Sequence, residues 1–240
     1  MNVSSSELKR RARQALVGKY GTMVGAGLLI CALSGGLSLL LTLFVNGSLA
    51  YQISFLIINI LTAILAAGFF GLTLNIARGR DAQAIDVFAV FSSHPDRIII
   101  LTLLLMLVSI VCLIPISIPA FLIALSFTGL SIPETSLILF TLLACIISAI
   151  LLVLVSLRYS LVYFLYFDYP DLSATELMRE SARRMQGRKG RYFCLHISFL
   201  GMYLLGILTL GLGYLWIVPY VSMTQAFFYL EACGEPHEYL

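Results

Sequence analysis

Apolar and polar positions along this chain segregate into blocks the length of a bilayer crossing. Stretches at 22–45, 51–77, 98–124, 136–158, 192–210 and 212–230 are apolar and, up to the Arg158 that closes the fourth, free of Lys, Arg, Asp and Glu. A hydrocarbon core about 30 Å thick takes about 20 helical residues, so the pattern predicts an all-α, polytopic membrane protein with six transmembrane helices. The connections after the first, third and fifth stretches hold no Lys or Arg, which predicts three helical hairpins at 22–77, 98–158 and 192–230 with outer turns such as Asn46 to Ala50.

Segments of helical period precede the hairpins. In 4–19, Leu8, Ala12, Ala15, Leu16 and Tyr20 recur on one side and Lys9, Arg10, Arg11 and Arg13 occupy the other, the pattern of a helix lying on a membrane surface. Ser4, with Glu7 three residues on, predicts a capping box. A second basic amphipathic helix is expected at 173–187 and a short interfacial one at 82–92, where Ile85, Val87, Phe88 and Phe91 are followed by His94-Pro95. The first two read as copies: Ser4, Glu7, Leu8, Arg10, Gly18 and Gly21 recur at an offset of 169 as Ser173, Glu176, Leu177, Arg179, Gly187 and Gly190. Parallel repeats occur in transporters, an analogy of architecture alone.

Inside the spans, Gly27, Cys31 and Gly35 in the first and Ala63, Ala67 and Gly71 in the second form stripes of small residues that let backbones approach. Such stripes suit packing within the hairpin or dimerisation. Pro115 and Pro119 predict a kink or break in the third span and Pro219 one in the sixth, where Ser222, Thr224 and Gln225 are placed to take up freed backbone groups. Aromatic residues crowd the end of the fourth span, from Tyr159 to Tyr169, as in a headgroup layer. A helix unbroken from 136 to 167 would measure about 48 Å at 1.5 Å per residue and emerge from the bilayer or tilt.

Composition agrees, with 60% hydrophobic and 11% charged residues against about 25% charged in soluble domains. All fifteen Lys and Arg residues fall in blocks at 9–19, 78–97 and 158–191. With an even number of crossings between blocks, every cation lies on one face, which the positive-inside rule makes the cytoplasm. The amino terminus is then cytoplasmic, as is the carboxyl terminus if the chain turns at 211–213. Lys9, Arg10, Arg11, Arg13, Arg179, Arg183, Arg184, Arg188, Lys189 and Arg191 are the expected surface for anionic inner-leaflet lipids, each near cation adding about 1 kcal/mol of attraction. Nucleic acid is the less economical partner for cations beside a span. A cleaved signal ending near Ser48-Leu49-Ala50 is disfavoured, because the 24 uncharged residues from Thr22 to Val45 exceed an h-region of about 7 to 15.

No recognisable chemistry appears. The chain lacks HExxH, a nucleophile with its base, paired intramembrane carboxylates and phosphate-cradling loops; no cofactor is expected, and the five scattered cysteines indicate neither disulfides nor zinc. The candidate intramembrane polar residues are Arg158, Asn75 and Gln225. Arg158 either snorkels to the headgroups or is buried against Asn75, Gln225 or Glu231. His196 reads as a hydrogen-bonded packing residue, and Asp168 and Asp171 as parts of a turn around Pro170.

Two stretches, LKRRARQALVGKYG at 8–21 and the run from Gly187 to Leu230 with its GRKGR lead-in, TLGLG turn and VPY, resemble the bacterial integral membrane family called domain of unknown function 975. The likeness covers nearly the whole chain. It implies a polytopic plasma membrane protein of Gram-positive type bacteria, with no established activity or catalytic residues to carry over. The expected function is therefore non-enzymatic, assisting envelope processes or assembling with a membrane partner or as a homodimer; a small transporter or pore is the alternative, and a polar cavity lined by Asn59, Asn75 or Gln225 would favour it.

Overall fold

A computed structural model of the chain describes residues 3–44, 49–91, 95–126 and 133–234. The described residues are helical with no strand. The order is α1 (Ser5–Leu16), α2 (Tyr20–Phe44), α3 (Leu49–Ala77), a 3-10 helix (Ala84–Phe91), α4 (Pro95–Ser126), α5 (Glu134–Tyr159), α6 (Val162–Asp168), α7 (Ala174–Arg184), α8 (Lys189–Ile197), α9 (Leu200–Leu208) and α10 (Tyr214–Cys233). The 45–48 and 127–132 parts of the expected outer turns, and His94, lie outside the described residues.

Five helical runs are long and apolar enough to cross a membrane: Tyr20–Leu43, Leu49–Ala77, Asp96–Ala124, Glu134–Asp168 and Lys189–Leu208. The expected sixth, 212–230, falls in α10. That helix has 20 residues but carries Ser222, Thr224, Gln225 and Glu231, and it is the central element of the fold. It packs against α1, α2, α3 and α9 and buries Met223, Phe227, Phe228 and Tyr229 almost completely. A helix surrounded by other helices does not need the apolar outer face that contact with lipid demands.

The offset of 169 is visible in three dimensions. Adding it to Ser5 and Tyr20, where α1 and α2 begin, gives Ala174 and Lys189, where α7 and α8 begin. Leu8, Ala12 and Leu16 are buried on α1, and of their counterparts Leu177 and Ser181 are buried on α7 and Met185 is buried just past its end. Gly18 and Gly187 both end their helix at positive φ, 75° and 73°, a conformation that glycine adopts without steric cost.

Several expectations change. The apolar face of α1 does not meet lipid; it is covered by α10 and α3, leaving Leu8, Ala12 and Leu16 at most 1% exposed. Burying each leucine is worth about 1.5–3 kcal/mol, so α1 is held by the protein itself. The same holds for α7 against α4, α5 and α6. A full capping box forms at Ser173 and Glu176. At Ser4 only the hydroxyl half forms, because the Glu7 carboxylate turns to Arg10 and Arg11 instead.

The small-residue stripes do not close α2 on α3. A Cβ added at Gly27 or Gly35 would meet open space, and Cys31 is exposed. On α3 the close approaches are to other elements: a Cβ at Gly68 would overlap the Val87 carbonyl oxygen of the 3-10 helix, and one at Gly71 would lie 2.5 Å from the Phe167 ring. Prolines 115 and 119 leave α4 continuous from Pro95 to Ser126, and α10 runs through Pro219. There Ser222 and Thr224 donate to the carbonyls of Val218 and Tyr220, while Gln225 turns to His196. Interruptions fall elsewhere, at Ser160-Leu161 between α5 and α6 and at Ser198-Phe199 between α8 and α9, so neither 136–167 nor 192–210 is one unbroken helix. Phe199 is 1% exposed, so the second interruption turns a large ring into the core.

Candidate functional site

The three basic blocks meet at one end of the bundle, and the contacts that join them are polar. Arg78, just past α3, donates from both η nitrogens to Asp168 at the end of α6, at 2.6 and 2.7 Å. Tyr229 of α10 donates its hydroxyl to the same carboxylate at 2.5 Å. Asp168 thus ties α3, α6 and α10 together. Both charged side chains are mostly covered, at 13% and 15% exposure, which strengthens a bidentate, charge-assisted pair relative to the same contact in water.

A second knot joins α10 to the chain start and to α8. Arg191 holds Glu231 through both η nitrogens, and the Val3 backbone N–H donates to the same carboxylate at 2.9 Å. A third surrounds the Tyr169-Pro170 turn, where Arg97 donates to both backbone carbonyls and Arg184 donates to the Tyr169 hydroxyl, Glu180 and the Cys233 sulfur. Lys19 pairs with Asp81 at 2.9 Å, linking the first block to the second.

Many of the expected lipid-binding cations are therefore engaged within the protein. Arg10 and Arg11 both bind Glu7 and hold its carboxyl down at about 2. Arg183 and Arg184 do the same for Glu180, lowering it. Lys9 donates to the Ser198 carbonyl at 3.2 Å and sits 4.2 Å from the Phe199 ring centre; burial there lowers its pKa. Among the described residues, Arg13, Arg179, Arg188 and Lys189 make no ion pair or side-chain hydrogen bond, and Arg13 and Arg179 are exposed.

The three intramembrane candidates separate. Arg158 is exposed on α5 beside the Tyr159 ring, 5.8 Å away, and does not touch Asn75, Gln225 or Glu231. Asn75 lies near the basic end, where its Oδ1 accepts from Arg80 at 3.2 Å. Gln225 Nε2 and His196 Nε2 are 3.3 Å apart, a packing contact for that histidine. Asn59, on the outer part of α3, donates to the Phe55 carbonyl of its own helix. These positions do not assemble into one polar passage among the described residues, nor do three His, Cys, Asp or Glu side chains gather there as a metal-binding group.

Sequence reasoning missed Asp168, Glu231 and Arg78 as joints. The one signal was position: each stands within a few residues of the end of an apolar run, where a charge can leave lipid and still reach a neighbouring helix.

No curated protein and no solved structure matches the chain. A family model described as "Protein of unknown function (DUF975)" matches residues 1–234, and the chain belongs to that family.

Proposed function

We propose that this is a non-enzymatic integral membrane protein of the bacterial cytoplasmic membrane. Six spans, α10 included, form three hairpins with both termini in the cytoplasm, and the protein works by assembling with a membrane partner or a second copy. The observation that supports this reading is the joining of all three basic blocks at one end of a bundle whose long helices expose apolar side chains, among them Leu39, Leu43, Ile57, Ile110, Leu139 and Leu154. Lipid covers such sides, and an anionic inner leaflet suits such an end. Arg13, Arg179, Arg188 and Lys189, which the internal pairs leave uncommitted, are its lipid-facing cations.

Assembly is favoured over transport by α2. Its Gly27, Cys31 and Gly35 face outward with open space around the glycines, a surface on which another helix can approach closely. The test is recovery of the protein from native membranes after crosslinking, followed by mass spectrometry. The reading expects an enriched companion or a crosslinked dimer that is lost in a Gly27→Leu, Gly35→Leu variant. Recovery of the uncrosslinked protein alone sinks it.

A further inference from the structure

The bundle is not closed between α5 and α8. A cleft of about 660 Å³ lies there, within the range of roughly 300–1,000 Å³ typical of small-molecule sites. Its rim is apolar and open, with Val153 of α5 and Phe193 of α8 each 41% exposed. Its inner wall carries polar groups. There Gln225 of α10 and His196 of α8 bring nitrogens within 3.3 Å of each other, and the buried Tyr192 ring lies 4.6 Å from the imidazole.

The contact between His196 and Gln225 occupies one nitrogen of each side chain. A side-chain amide has two donors and a carbonyl oxygen, and imidazole has a second ring nitrogen, so each retains bonding capacity. Among the described residues no other hydrogen bond reaches either side chain. Beside hydrocarbon, unmet polar groups are costly, and this wall calls for a ligand with donors and acceptors of its own. Charge is the wrong complement. No Lys, Arg, Asp or Glu lines the cleft, and Arg191, the cation nearest His196 along α8, is committed to Glu231. A phosphate at this wall would be desolvated without a counter-ion. Hydroxyl and ester groups meet the wall without that cost, and the apolar rim, open among lipid-facing helices, suits an acyl chain.

We propose that this cleft binds one uncharged acylglycerol from the bilayer. Its glycerol hydroxyl and ester groups bond to Gln225 and His196, and an acyl chain runs past Leu152, Val153 and Phe193 to the lipid. The inference rests on the membrane reading above.

Photocrosslinking of the full chain in phosphatidylglycerol nanodiscs tests this. One probe is diacylglycerol with a diazirine in one acyl chain; the other is phosphatidylglycerol carrying the same chain. The diacylglycerol should label peptides containing Leu152, Val153 and Phe193, and unlabelled dioleoylglycerol should compete while glycerol should not. The matched phosphatidylglycerol should label those peptides much less. Replacing the polar pair (His196→Leu with Gln225→Leu) should cut the specific labelling roughly tenfold, as expected for two lost hydrogen bonds. Ser156→Trp, at an exposed lining position that tolerates a large side chain, should abolish it by filling the cleft with the pair intact. Arg158→Gln, which does not line the cleft, should leave it unchanged. Equal labelling by the two probes, competition by glycerol, or labelling that survives Ser156→Trp or the loss of the polar pair overturns the site. Each of these results leaves the membrane reading standing, because both probes still label the lipid-facing helices.

Discussion

Arg78 and Asp168 are 90 residues apart in sequence, yet the guanidinium grips both carboxylate oxygens at 2.6 and 2.7 Å. Removing one member of a mostly buried pair strands the other and costs about 3–5 kcal/mol. Asp168→Ala should therefore destabilise the protein strongly, while Arg78→Met combined with Asp168→Leu should cost much less than the sum of the single changes. Denaturant titration of the purified protein by circular dichroism reads this. Additive single and double variants would show the pair to be uncoupled.

Gly68 meets the 3-10 helix so closely that a methyl group would overlap the Val87 carbonyl. Gly68→Ala should then lower the thermal midpoint, since backbone must move to admit it. Gly27→Ala, placed in open space on α2, should leave the midpoint unchanged or raise it slightly through helix propensity. Equal midpoints in the two variants would contradict the packing described.

The two copies of the basic helix differ in their caps. Ser173→Ala removes a hydroxyl that completes a reciprocal box and should cost about 1 kcal/mol. Ser4→Ala removes a hydroxyl that accepts from the Glu7 N–H and meets the exposed Ser6 hydroxyl but closes no reciprocal box, and it should cost less. Hydrogen exchange in the first turns of α7 and α1 measures the two, and greater loss of protection in α1 would reverse the assignment.

Acid should loosen α1. The Glu7 carboxyl is held at about 2 by hydrogen bonds from Arg10 and Arg11, against an ordinary value of 4.5. A carboxylate depressed in the folded state contributes stability that is complete above its unfolded value and is lost as pH falls through its folded value. Exchange in α1, taken relative to the intrinsic amide rate at each pH, should thus be flat from neutral pH to about 5 and rise between 4.5 and about 2. In Glu7→Gln that rise should disappear; an identical acid profile would assign it to other groups.

Five helices long and apolar enough to cross a membrane, the basic blocks and the repeat were legible because each is written in local composition: long apolar runs, cations at their ends, and a capped amphipathic helix used twice. The joints were not, because Asp168 looks like any acid in a Tyr-Pro-Asp turn until Arg78 and Tyr229 arrive from distant segments. Orientation was equally hidden. The small residues of α2 have helical spacing whether they meet α3 or a partner, and the apolar face of α1 reads alike against lipid or against α10. The interruptions at Ser160 and Ser198 carry no proline, and they follow the packing of Leu161 and Phe199 into the core, which sequence does not display.

Cysteine labelling of intact cells tests the shared side of the three basic blocks most directly. In a cysteine-free background, Arg13→Cys, Asp81→Cys and Gln186→Cys should resist a membrane-impermeant maleimide until the cells are opened, while Glu134→Cys and Leu210→Cys should label at once. Labelling of Gln186→Cys and Leu210→Cys from one common compartment would contradict the account.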